Sequence, residues 1–141
     1  MKNMYTARAT AVGGRGGGTA KTDDGALEVT IVSPKEMGGS GEAGTNPEQL
    51  FALGYSSCFL GALKAAARRS GVTPSDDWTV TAEVSFLDRE DKVGFWISAA
   101  LKASLPGLER GQAEDLVEKA HEICPYSEAS RKGFEVTLDV G

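Results

Sequence analysis

Histidine occurs once in this chain and cysteine only twice. So few ligands exclude a Cys-rich zinc site, and two thiols are too few for a disulfide scaffold. His121 sits in H-E-I-C, which lacks the second histidine of the H-E-x-x-H zinc motif, and reads as a structural side chain. An excess of positive charge is missing as well. The net charge is -5, and the basic residues are scattered apart from the pairs Arg68, Arg69 and Arg131, Lys132. Nucleic acid is therefore not an expected partner. Nor is a membrane, because the uncharged apolar stretch 50–63 is too short to span a bilayer. Residues 1–10 alternate polar and apolar, unlike the continuous apolar run of a secretory signal, so a cytoplasmic location is expected. Cysteines there are normally reduced, and a disulfide is usually transient and catalytic. The glycine runs contain no G-x-x-x-x-G-K-[ST]. The string G-G-R-G-G-G leads into a strand pattern, where a nucleotide fingerprint needs a helix.

What is present is the pattern of one soluble domain over residues 1–141, large enough to bury about 70% of the surface its unfolded chain exposes. Residues 5–12 alternate with period two and predict a strand that the glycine run 13–18 ends. Residues 26–32 predict a second strand, hairpin-paired with the first. A Gly-rich loop follows, then T-N-P-E-Q-L. Asn46 suits an N-cap, Pro47 the first helical position and Gln49 the capping-box position. That helix is expected to run to about residue 70, where Gly71 stops it. It is apolar nearly all round, which implies burial at the centre of a fold. One small domain can hardly surround it, so a second copy of the chain is expected to cover its remaining face. Residues 78–87 and 93–103 predict a long hairpin. Residues 109–124 predict an amphipathic helix ended by Pro125, and residues 134–140 a last strand. The fold class is α+β, with antiparallel sheets around a central buried apolar helix.

The chemistry rests on Cys58, inside the apolar helix, and Cys124, on the last turn of the second. Both have a bland reading as buried structural thiols, which behave as small hydrophobes. Burial mid-helix raises a thiol pKa, and the dipole of its own helix acts only within about one turn of the start. A reactive Cys58 therefore needs a cation. Arg15, alone in a run of five glycines, is the best candidate, although a solvated loop arginine is as good a reading. The two cysteines form no C-x-x-C pair and can meet only through the fold.

Four ordered motifs carry a resemblance. They are G-G-R-G-G-G at residues 13–18, G-T-N-P-E-Q-L-F-A at 44–52, G-Y-S-S-C-F at 54–59 and H-E-I-C-P-Y-S at 121–127. Together they closely resemble the organic hydroperoxide resistance proteins, the Ohr branch of the Ohr/OsmC family, over nearly the whole chain. The resemblance implies an intertwined homodimer with two active sites. It implies a peroxidatic cysteine at Cys58 and a resolving cysteine at Cys124, with an arginine and a glutamate at Arg15 and Glu48. It implies no bound cofactor or metal, and an external reductant, dihydrolipoamide, usually carried on a lipoylated protein. The chain departs from the family pattern at Lys132 and Gly133, where Gly-Asn is usual. Gly111 weakens the start of the second helix by about 1 kcal/mol against alanine.

Glu48 and Cys58 lie ten residues apart on one predicted helix, about 15 Å along its axis. Antiparallel pairing with a twin helix, crossing near Leu53 and Gly54, would set Glu48 of one chain beside Cys58 of the other, with Gly54 allowing close approach. Arg15 would then hold the Cys58 thiolate and Glu48 would orient Arg15. Phe51, Phe59, Leu60 and Trp96 are expected walls for an alkyl or fatty-acid hydroperoxide. Three readings compete with this one: a peroxidase of the osmotically induced branch with broader specificity, a dimer that binds ligands or senses redox state without turnover, and a purely structural protein with two buried cysteines, against which the resemblance argues.

Overall fold

The computed structural model describes all 141 residues. They form two compact units, Met1–Phe51 and Ala52–Gly141.

The first unit is a three-stranded antiparallel sheet in the order β1-β2-β3, with β1 Ala9–Val12, β2 Gly18–Thr22 and β3 Glu28–Ile31. The hairpin expected between the first two strand patterns is not formed. β2 lies between them and pairs with both. The glycine run ends β1 as expected, and it also turns the chain into β2. Two of its glycines are obligatory: a Cβ at Gly13 would lie 2.2 Å from the Gly17 carbonyl oxygen, and one at Gly18 1.9 Å from that of Val12. Both also take positive φ. The short Thr19–Thr22 alternation was hidden in the sequence by the glycines before it.

Thr45 bridges back to β3 through Val32 N–H to Thr45 O at 2.9 Å and Thr45 N–H to Thr30 O at 2.8 Å. This ties the start of α1, Pro47–Arg69, to the sheet. Asn46 caps the helix, its side-chain oxygen accepting the Gln49 N–H at 2.9 Å. The Gln49 side chain takes the Thr45 hydroxyl at 2.7 Å.

In the second unit, β4 Thr79–Asp88 and β5 Phe95–Ser104 form one long antiparallel hairpin, in register from Thr79 opposite Ser104 to Asp88 opposite Phe95. The apolar residues of β4 share its half-buried face, as the alternation predicts. α2, Arg110–Ile123, buries Leu116 and Ala120 and leaves Glu114, Asp115, Glu118 and Lys119 in water. The core joins α1, through Tyr55, Phe59, Ala62, Leu63, Ala66 and Ala67, to Trp78, Leu105 and α2. Burying a side chain such as Leu63 or Leu116 stabilises the fold by about 1.5–3 kcal/mol. By length and composition α1 could cross a membrane. Its apolar side is committed instead to this protein core, and Leu53, Ser57 and Gly61 form an exposed stripe along it.

At the C-terminal end one expectation holds only in part and another fails. Pro125 does end α2, but it also opens a further helix, α3 Pro125–Lys132, at whose first position proline is favoured. Gly133, one of the departures from the family pattern, ends α3 at φ 71°, where a side chain is disfavoured. Residues 134–140 join no strand ladder, and Phe134, Val136, Leu138 and Val140 are exposed. The period-two pattern is real, but a strand needs a partner, and this chain offers residues 134–140 none.

Candidate active site

The first unit brings together two of the four expected site residues. Arg15 sits at the tip of the β1–β2 turn, and its loop is fastened by the Ser33 hydroxyl donating to the Arg15 carbonyl at 3.5 Å. Glu48 sits in the first turn of α1, beside the sheet because Thr45 is bridged to β3. The guanidinium and carboxylate form a two-pronged pair, Arg15 Nη1 to Glu48 Oε2 and Arg15 Nη2 to Glu48 Oε1, each at 2.8 Å. This geometry fixes the plane of the guanidinium as well as its position. The hydrogen bond from Arg15 holds the Glu48 carboxyl below its ordinary value, against partial burial, and the same bond holds Arg15 up.

A carboxylate depressed in the folded state stabilises it above the unfolded pKa and loses that contribution as pH falls through the folded one. Arg15 is 40% exposed, so solvent screens the pair and its worth is at most about 1 kcal/mol. Glu48→Gln should therefore be slightly less stable than the parent at neutral pH. The difference should shrink as pH falls below the ordinary glutamate range and vanish only once pH has passed the lowered Glu48 value, where the folded carboxylate itself protonates. Thermal unfolding of both proteins across that range checks it, and a gap that persists in acid would contradict it.

The second unit brings together the other two. Cys58 projects from α1 and Cys124 stands at the junction of α2 and α3, and their sulfurs lie 3.6 Å apart. Both are free thiols. Cys124 is fully buried and Cys58 half-buried. Burial pushes the Cys58 thiol up, and the adjoining Cys124 thiol adds to that. A backbone hydrogen bond from Tyr126 acts the other way. The sequence showed that the dipole of α1 is out of reach of Cys58. It did not show that the first turn of α3 would supply a backbone N–H.

Three residues flanking the two cysteines, Tyr55, Tyr126 and Ser127, complete the arrangement and are not among the expected site residues. Tyr126 packs on Tyr55 with ring centroids 5.6 Å apart. Its hydroxyl lies 2.6 Å from where a Cβ at Gly54 would stand. Gly54 is thus needed to seat Tyr126 of the same chain. Tyr55 Oη and Ser127 Oγ share a buried hydrogen bond at 2.9 Å. The available signal is a tyrosine and a serine beside each cysteine, in G-Y-S-S-C and C-P-Y-S. Of the expected substrate walls, Phe59 is corrected, since it packs edge-on to Tyr55 inside the core. Leu60 is half-buried against that core, and Phe51 and Trp96 are exposed. No group of three or more histidine, cysteine or acidic side chains is placed to hold a metal.

Such a pair of reduced sulfurs can exchange two electrons by opening and closing one covalent bond. Comparison with known proteins gives the same direction. The family model for OsmC-like protein matches residues 38–139. An organic hydroperoxide resistance protein of Xanthomonas axonopodis pv. citri is 43% identical over 97% of this chain and 94% of its own length. The crystal structure of the organic hydroperoxide resistance protein OhrB of Bacillus subtilis superposes with a TM-score of 0.83 at 42% identity, covering 92% of this chain and 93% of that one. An organic hydroperoxide resistance protein from Elizabethkingia anophelis, solved with thiocyanate bound, reaches 0.86 at 44% identity, covering 96% and 94%.

Proposed function

The chain belongs to the OsmC-like family, in its organic hydroperoxide resistance branch, and on that premise we propose that it is a cytoplasmic thiol peroxidase reducing organic hydroperoxides to alcohols. The observation that carries the reading is the approach of Cys58 and Cys124 to 3.6 Å while both remain reduced. The relatives' names support the coarser role, resistance to organic hydroperoxides.

In the first step the Cys58 thiolate attacks the distal peroxide oxygen. The O–O bond breaks, the alkoxide leaves as the alcohol after taking a proton, and the sulfur, oxidised by two electrons, becomes a sulfenic acid. The Cys124 thiol then displaces that hydroxyl as water, closing a Cys58–Cys124 disulfide. An external dithiol, dihydrolipoamide on a lipoylated protein, reduces the disulfide and leaves as its own cyclic disulfide. Since burial raises the Cys58 pKa, the thiolate needs a cation, and Arg15, oriented by Glu48, supplies it.

The cation comes from a second copy of the chain. A homodimer is supported by α1, on which the large apolar side chains Phe51 and Leu53 stand exposed. It is also supported by the exposed apolar residues Phe95, Trp96 and Ile97 of β5 and by the unpaired segment 134–140. Antiparallel pairing of α1 with its twin about Leu53, midway between Glu48 and Cys58, would set the Arg15–Glu48 pair of one protomer at Cys58 of its partner. Leu53 is 63% exposed, as such a crossing requires.

Treatment with tert-butyl hydroperoxide followed by a non-reducing peptide mass map tests the reading. The expected product is a Cys58–Cys124 disulfide within one chain. Sulfurs that stay reduced, or that cross-link between chains, would refute it.

A further inference from the structure

Resting on the peroxidase reading, we infer that Tyr55 and Ser127 are positioning residues for the second chemical step, the closure of the Cys58–Cys124 bond. The observation is a ladder of contacts between two chain segments that run in opposite senses. Along α1, Cys58, Tyr55 and Gly54 follow one another toward the helix start. Along the entry to α3, Cys124, Ser127 and Tyr126 stand opposite them. Cys58 meets Cys124 at 3.6 Å and Tyr55 meets Ser127 at 2.9 Å. The Tyr126 hydroxyl fills the space that a side chain at Gly54 would need. Tyr55 and Cys58 are three residues apart on one helix, so they share a face. Cys124 and Ser127 are likewise three apart, as N-cap residue and third residue of α3. The hydrogen bond is therefore a rung parallel to the sulfur pair and one helical turn away from it.

This rung has the properties of a spacer. Both of its residues are buried, Tyr55 at 5% and Ser127 at 0% exposure, in a core that excludes competing water. The Tyr126 ring is seated between Gly54 and Tyr55, and its backbone hydrogen-bonds Cys58. Closing the disulfide shortens the sulfur separation from 3.6 Å to about 2.05 Å. The condensation breaks the S–O bond of the Cys58 sulfenic acid, forms the S–S bond and sends the Cys124 proton out with the hydroxyl as water. Attack must come in line with the S–O bond, so its rate depends on where Cys124 stands. The rung helps fix that, because it is a buried side-chain hydrogen bond joining α3 to α1 one turn from the thiols.

The test separates the two steps. Tyr55→Phe removes only the hydroxyl. Cys58 oxidation and disulfide closure are followed in single-turnover mixing with cumene hydroperoxide, with dimedone trapping of the sulfenic acid as an independent count. The expected result is that closure slows about tenfold more than oxidation, the loss that one misplaced hydrogen bond produces, and that trapped sulfenic acid rises in step. Ser127→Ala should do the same, and stands in should Tyr55→Phe fail to fold. The double variant Tyr55→Phe/Ser127→Ala removes donor and acceptor together. It should recover thermal stability, since no buried polar group is left unpaired, without recovering the closure rate. Closure unchanged or accelerated in the single variants, both steps falling together, or a closure rate recovered with stability in the double variant would each overturn the assignment. A parent protein that forms no Cys58–Cys124 bond at all would overturn the peroxidase reading itself, and this inference with it.

Discussion

Replacing Cys58 by serine is expected to abolish hydroperoxide consumption, leaving only the uncatalysed background. The effect is large because the substitution removes the nucleophile while leaving the packing nearly intact. Serine is close to cysteine in size, and Cys58 is half-buried on α1 beside a core supplied by its neighbours Tyr55, Phe59, Ala62 and Leu63. A hydroxyl has no accessible anionic form near neutral pH, so serine does not take over the thiolate's attack. The measurement is the loss of cumene hydroperoxide in the presence of dihydrolipoamide, with circular dichroism to show that the variant folds. Turnover persisting in Cys58→Ser would mean that peroxide is reduced somewhere other than at this sulfur.

Cys124→Ser is expected to behave quite differently. Of the two thiols the proposed first step uses only Cys58, so the variant should reduce a single equivalent of peroxide per chain in a burst. With its resolving thiol gone, the sulfenic acid cannot close the intramolecular bond, and lipoyl-dependent turnover should stall. Prolonged excess of peroxide should then carry Cys58 to the sulfinic acid, a gain of two oxygen atoms in the intact mass that a dithiol does not reverse. The position also carries a packing demand, because Cys124 is fully buried between α2 and α3. Serine there brings a buried hydroxyl that must find a partner, at a cost of about 1–3 kcal/mol if it does not. The burst amplitude, normalised to folded protein, is therefore the quantity to read. Full turnover in Cys124→Ser would show that the reductant reaches the sulfenic acid directly and that the short sulfur separation is incidental.

Asn46, Pro47 and Gly71 marked the ends of α1 because capping is local chemistry, decided within a few positions of the chain. The alternation in β4 and the helical period in α2 were legible for the same reason, since burial on one side imposes its repeat directly on the side chains. β2 was lost because four residues after a glycine run carry too little periodic signal. α3 was lost because Pro125 has two meanings, ending one helix and starting another. The C-terminal segment 134–140 has the composition of a strand, but pairing is a relation between segments, and composition cannot state whether the partner lies in the same chain.

By itself the sequence determined the chemical type of the site: two thiols remote along the chain, an arginine isolated among glycines, a glutamate at a helix start, and motifs that resemble one family. It also determined the helix and hairpin patterns on which those residues ride. Only the tertiary structure decided which side chains share a neighbourhood. It set Arg15 against Glu48 by bridging Thr45 to β3, and Cys58 against Cys124 by packing the α2–α3 junction onto α1. It gave Gly54 to Tyr126 and locked Tyr55 to Ser127. The reason is one of range. Capping and periodicity act over one or two turns, whereas a contact between residues 58 and 124 or 55 and 127 exists only after a shared core has met the entropy cost of ordering all the chain between them.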